Sequence, residues 1–69
     1  MRLSARNQLH GTVTAVDHGK VMSTIKVTLP DGQTLTAAIT REAAEDLGLA
    51  PGAPVIAVIK ATEVMLGTP

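Results

Sequence analysis

The sequence predicts an all-β domain with one short helix: a five-stranded OB-like barrel, the helix falling between strands 3 and 4. Three observations lead there. Apolar and polar residues alternate with period two in three successive segments before Thr40. Helical spacing takes over once, just after Thr40, and extended patterns return beyond it. Gly-containing turn signals separate the segments.

The first strand is Gln8–Val16, with Leu9, Gly11, Val13 and Ala15 on one face and His10, Thr12 and Thr14 on the other. Asp17-His18-Gly19-Lys20 reads as a turn, Gly19 being free to take positive φ. Val21–Leu29 is the second strand. Val21, Ser23, Ile25, Val27 and Leu29 face one way, and Thr24, Lys26 and Thr28 the other. Pro30-Asp31-Gly32-Gln33 is a tight hairpin connection. Thr34–Ile39 is the third strand, with Leu35, Ala37 and Ile39 directed inward. Thr40 then caps a short helix, Glu42 sits in its first turn, Ala43, Ala44 and Leu47 share its apolar face, and Gly48 ends it. Ala50-Pro51-Gly52-Ala53 has the type II turn pattern. Val55–Ile59 is apolar on both faces, as in a barrel wall or a subunit contact. Lys60–Glu63 interrupts it, and Val64-Met65-Leu66 is expected as the last strand. No repeat or linker breaks the 69 residues, so 1–69 is expected to be one domain.

Composition narrows the function. Six Lys and Arg balance six Asp and Glu, and Phe, Tyr, Trp and Cys are absent. A nucleic-acid binder needs excess cationic charge and, for single strands, stacking aromatics; neither is present. Without cysteine there is no disulfide, thiolate metal site or thiol nucleophile. No apolar run is long enough to span a bilayer, and Met1–Asn7 lacks the apolar stretch of a signal peptide, so a cytoplasmic location without a membrane partner is expected. Ordering such a chain costs on the order of 100 kcal/mol in conformational entropy. A core of Val, Ile, Leu, Met and Ala must offset that cost without one aromatic ring. Burial between subunits is the expected remedy, and with it an oligomer.

No catalytic pattern stands out. There is no phosphate-cradling Gly loop, no His-Glu-x-x-His and no Gly-x-Ser-x-Gly. His10 points outward from a strand and His18 occupies a turn. Asp17 beside His18 lacks a third metal ligand. Glu42, Glu45 and Asp46 read as the wet face of the helix. The expectation is therefore a non-enzyme with no organic cofactor and no directly ligated metal.

The remaining polar groups are unevenly placed. Ser4-Ala5-Arg6-Asn7-Gln8 stands before the first strand, Thr40 lies at the start of the helix, and Lys60-Ala61-Thr62 breaks the most apolar stretch. Taken singly, Arg6 and Lys60 read as solvated surface charges and Thr40 as a cap. Together they supply what a small tetrahedral oxyanion requires, namely backbone N–H groups, hydroxyls and one or two cations converging from several directions. The competing reading is a purely structural oligomeric module.

At these residues the sequence resembles a known family. Ser4-Ala5-Arg6-Asn7-Gln8-Leu9 with Gly11, Leu35-Thr36-Ala37-Ala38-Ile39-Thr40, Leu47-Gly48-Leu49 with Gly52, and Ile59 through Leu66 look like the molbindins, small molybdate- and tungstate-binding proteins made of a single Mop (TOBE-type) domain. The resemblance implies an OB-like barrel assembled with itself as a homo-hexamer, a trimer of dimers, with molybdate or tungstate bound at subunit interfaces. It implies donors from Ser4 and Arg6, charge and backbone from Lys60, and N–H or hydroxyl groups from Ala61 and Thr62. Thr40 would enter from the neighbouring subunit. Where many relatives carry Ser, this chain has Ala43, which leaves only a backbone N–H there. The family's sites near symmetry axes make His18, Gly19 and Lys20 candidates for a second location. Some members are fused to DNA-binding regulators or transporter ATPases. This sequence contains neither a helix-turn-helix nor a nucleotide-binding segment, so the implied role is a stand-alone binder for storage or homeostasis of the oxyanion.

Overall fold

The computed structural model describes residues Met1–Pro69 and resolves the alternating segments into four antiparallel strands: β1 (Asn7–His18), β2 (Met22–Thr28), β3 (Thr34–Thr40) and β4 (Pro54–Ile59). A helix, α1 (Arg41–Asp46), joins β3 to β4, and a single 3-10 turn at Ala61–Glu63 follows β4. The order across the sheet is β3-β2-β1-β4. β1 is long enough to serve two partners. Asn7 to Thr12 pair with β4, and Thr12 to His18 pair with β2. Gly11 lies near this exchange of partners. A Cβ there would come within 2.6 Å of Val27 Cγ1 and 2.9 Å of the Thr28 carbonyl oxygen, so only glycine lets β1 cross β2 this closely.

The core lies on one face of the β1–β2 ladder. Val13, Ile25 and Val27 are buried there with Ala44 of α1, and Val16, Leu35, Ile39, Leu49, Ala53 and Val55 pack around them. The register of β1 against β2 shifts between Val13 and Ala15, which makes Thr14 a bulge residue. The bulge reverses the expected facing beyond it. Val16 turns toward the core and Ala15 toward solvent. His18, expected in a turn, instead ends β1 opposite Ser23, and the connection shortens to Gly19–Val21. Ser23 is the one buried polar residue, and its hydroxyl lies 2.6 Å from His18 Nδ1.

Turn and cap chemistry follow the sequence except at Gly19, which makes its turn without positive φ. Leu29 and Gln33 close the β2–β3 hairpin, with Gly32 at φ 91°. Thr40 is extended at φ −66° and ψ 147°, and its Oγ1 accepts from the Ala43 N–H at 3.1 Å. Gly48 (φ 66°) ends the helix: its N–H donates to Glu45 and that of Leu49 donates to Ala44, a paired Schellman closure. That closure corrects one assignment. Leu47 falls at the C-cap and is 69% exposed, while Leu49, one residue past the glycine, returns to the core. Ala37 keeps the inner face of Leu35 and Ile39 but is exposed, because it lines an open cleft beside β4.

The fifth strand does not form. Val64-Met65-Leu66 has strand composition but no ladder, with Met65 93% and Leu66 95% exposed. β3 and β4 are therefore opposite, unpaired edges of a curled four-stranded sheet, and the expected closed barrel stays open. After the 3-10 turn at Ala61–Glu63 the last apolar residues pair with neither free edge of their own chain. The opening is a cleft of about 270 Å³ between β3 and β4, lined almost wholly by apolar side chains.

The open side is visible in the surface. A folded 7.1 kDa chain is expected to expose roughly 4,100 Å², whereas this one exposes 5422 Å². The Cα radius of gyration of 12.6 Å likewise exceeds the roughly 11 Å expected at this length. Only 5 of 69 residues are buried, too few to offset the ordering entropy comfortably.

Candidate functional site: the two ends of β1

The candidate oxyanion residues divide between opposite ends of β1. At the first end, Asn7 pairs with Ile59, and the same register sets Arg6 opposite Lys60 just beyond the last pair. Asn7 Nδ2 donates to the Ile59 carbonyl at 3.2 Å and pins this end of the ladder. Gln8 Nε2 donates to the Ala5 carbonyl at 2.9 Å and ties the N-terminal segment back onto β1. Ser4, Arg6, Lys60, Ala61 and Thr62 are all exposed around this corner. Lys60 is extended and precedes the 3-10 turn, which Ala61 and Thr62 open. The first N–H groups of such a turn have no acceptor within it. Arg6 and Lys60 flank the same end of the β1–β4 ladder, and neither is neutralised by an ion pair.

At the second end lie Thr40, His18, Gly19 and Lys20. Thr40 pairs with Met22, and His18 with Ser23, so both belong where β1 finishes. The span of β1 between the two ends is on the order of 30 Å, close to the longest dimension of the molecule, 35 Å. Thr40 therefore cannot meet Arg6 or Lys60 of its own chain. The Thr40 hydroxyl already accepts from Ala43, yet its own proton remains free to donate outward. Ala43 N–H is engaged by that cap, so the one donor Ala43 could offer is already committed.

The second trio is also partly committed. His18 Nδ1 faces the Ser23 hydroxyl, the Gly19 N–H donates to Met22 at 2.7 Å, and the Gly19 carbonyl accepts from Arg41 Nη1 at 3.4 Å. Lys20 alone keeps its charge unengaged. It shares a shallow depression with Thr40 and Arg41, but Glu42 and Glu45 line the same depression, and Glu45 pairs with Arg41 at 2.7 Å. The second end thus has no net cationic charge of its own.

Sequence reasoning missed the separate duties of Asn7 and Gln8, which it read with their neighbours as one run of donors. Only the ladder register shows that these two side chains serve the backbone. It also missed Arg41, which fastens the Gly19 turn to α1; the Arg41–Glu45 spacing of four on a helix was the available signal. No cavity of the single chain is lined by Ser4, Arg6, Lys60, Ala61 or Thr62. No three His, Asp or Glu side chains gather as a metal set, and no helix is long and apolar enough to cross a membrane.

Comparison with known proteins adds the family. The TOBE domain model matches residues 3–66. The chain is 52% identical over 66 residues to the molybdenum-pterin-binding protein MopA of Rhodobacter capsulatus, covering 96% of this chain and 25% of that one. It spans about a quarter of the length of MopA and of two ModE proteins. It matches molybdenum-pterin-binding protein 3 of Clostridium pasteurianum nearly end to end, at 42% identity over 66 residues and 97% of that chain. Among solved structures, MopII of the same organism superposes with a TM-score of 0.92 at 36% identity, over 97% of this chain and all of that one. The cytoplasmic molybdate-binding protein ModG, solved with molybdate bound, gives 0.95 at 48% identity, over all of this chain and 49% of that one. These relatives are named for binding, transport and regulation, and none for catalysis. End-to-end matches in both sequence and fold establish that the chain belongs to the molbindin (Mop) family of TOBE-domain proteins.

Proposed function

We propose that residues 1–69 act as one Mop (TOBE-type) domain that binds molybdate, or tungstate of the same shape and charge, between copies of itself. The observation that carries this reading is the unpaired Arg6–Lys60 corner, which stands beside the opening N–H groups of the 3-10 turn and has no closed cavity of its own. A dianion is attracted by two cations at one corner and accepts from several donors at once. Ser4, Arg6, Lys60, Ala61 and Thr62 form one half of the site, and Thr40 of a neighbouring copy supplies a hydroxyl to the other. The length of β1 supports a two-chain site, because one chain holds its two groups of donors far apart. The surplus surface supports the assembly, taken to be a hexamer built as a trimer of dimers. His18, Gly19 and Lys20 are the weaker candidates for a second location. The role that fits is storage or homeostasis of the oxyanion in the cytoplasm, without catalysis, nucleic acid or membrane.

A donor-only site discriminates by size and protonation. Sulfate is smaller than molybdate, and phosphate near neutral pH is partly protonated, leaving a proton without an acceptor. Titration calorimetry with molybdate, tungstate and sulfate tests the proposal. Saturable heat with the two metal oxyanions, together with a raised melting temperature, is expected. Absence of heat and an unchanged melt at millimolar molybdate would leave the second reading, an oligomeric module without an anion role. That alternative draws on the apolar cleft between β3 and β4.

A further inference from the structure

Two side-chain amides beside the Arg6–Lys60 corner each grip a backbone carbonyl. Asn7 Nδ2 donates to the Ile59 carbonyl at 3.2 Å, and Gln8 Nε2 donates to the Ala5 carbonyl at 2.9 Å. A carbonyl only accepts, so both amides present their NH2 ends. Each bond holds a particular peptide group. The Ile59 carbonyl shares its planar unit with the N–H of Lys60, and the Ala5 carbonyl shares its unit with the N–H of Arg6. No peptide bond of the chain is cis, so each N–H points away from the carbonyl that the amide holds. Neither N–H has an acceptor within the chain. The two cations of the corner thus also carry two free backbone donors, and a neighbouring amide sets the direction of each.

Gln8 has a further task. Residues 1–6 belong to no helix or strand and make no backbone–backbone hydrogen bond. The Gln8 side chain supplies the one hydrogen bond that reaches them, so it is the polar tether of the segment carrying Ser4 and Arg6. Asn7, Gln8 and Ala5 are half-buried, whereas Ser4, Arg6 and Lys60 are exposed. We propose that Asn7 and Gln8 are positioning residues: without touching the oxyanion, they aim the Lys60 and Arg6 donors and so set the preference for molybdate over smaller tetrahedral anions. This rests on the oxyanion reading above. Charge and direction do different work there. Arg6 and Lys60 attract any dianion, but discrimination by size needs donors held in fixed positions.

Gln8→Met and Asn7→Leu keep side-chain size and neutrality and remove the donor. Each full-length variant is titrated calorimetrically with molybdate, alone and in competition with sulfate, over a series of NaCl concentrations. The melting temperature of the anion-free protein is read alongside. Molybdate affinity should fall about tenfold in each variant, as for one lost hydrogen bond to a charged group. Sulfate affinity should fall less, and the salt dependence should stay that of wild type, because both cations remain. Gln8→Met should leave the anion-free melting temperature unchanged, since it releases only a segment outside the sheet. Asn7→Ser, with a hydroxyl too short to reach Ile59, replaces Asn7→Leu if that chain does not fold. A variant with wild-type affinity and preference removes its residue from the role. An equal loss for both anions overturns the proposal as well, being the mark of a general structural effect. Wild-type chain that gives no heat with molybdate overturns the oxyanion reading and this inference together. Wild-type heat with unaltered variants overturns this inference alone.

Discussion

The two halves of β1 make opposite use of one strand. From Thr12 to His18 it packs against β2 beneath α1, and Val13, Ile25, Val27, Ser23 and Ala44 are buried there. From Asn7 to Thr12 it pairs with β4, and the flanking Ser4, Arg6, Lys60, Ala61 and Thr62 all face solvent. The first half folds by hiding apolar surface. The second gathers unpaired cations and unused donors beside an open apolar edge. Stability and binding are thus separable along one strand, and substitutions in one half should leave the other half's property alone.

The largest effect belongs to the packed half. Ile25→Ala removes a side chain only 1% exposed at the centre of the core, and should cost about 2–5 kcal/mol in urea unfolding. A loss well under that range would mean the core is shared more evenly along β1. Next comes the exposed half. Arg6→Ala should weaken molybdate binding by about 1.5–3 kcal/mol in titration calorimetry, while the melting temperature of the anion-free protein stays put. A fall in that melting temperature would merge the two halves, and wild-type affinity would remove Arg6 from the site. The smallest effect sharpens the role of Thr40. Thr40→Ala should cost about 1 kcal/mol through loss of the helix cap. Thr40→Asp keeps a capping oxygen and loses the donated proton. It should restore thermal stability but not oxyanion affinity, and recovery of both would make Thr40 a cap alone.

Much of the fold was legible because local chemistry dictates it. Thr40, Gly32, Gly48 and Gly52 act where capping and positive φ require them, and the period-two runs became β2 and β3. The Thr14 bulge was not legible, since no residue type announces an extra position; it sent Val16 and His18 to the core side. The fifth strand failed for another reason. Val64-Met65-Leu66 has the right composition, but a strand exists only where a segment pairs with an edge, and composition does not say whether it reaches one. The site was legible as a set of residue types, through the family resemblance. Its division between two distant ends was not, because distance follows from ladder register, and register is a property of pairs of strands.

The pairing of Asn7 with Ile59 has a wider consequence. It brings the points where the chain enters and leaves the sheet to the same corner, an arrangement that suits insertion beside another polypeptide or duplication in tandem without disturbing the interior. A module with that layout travels easily between architectures, which accords with its matching stretches inside proteins about four times its length.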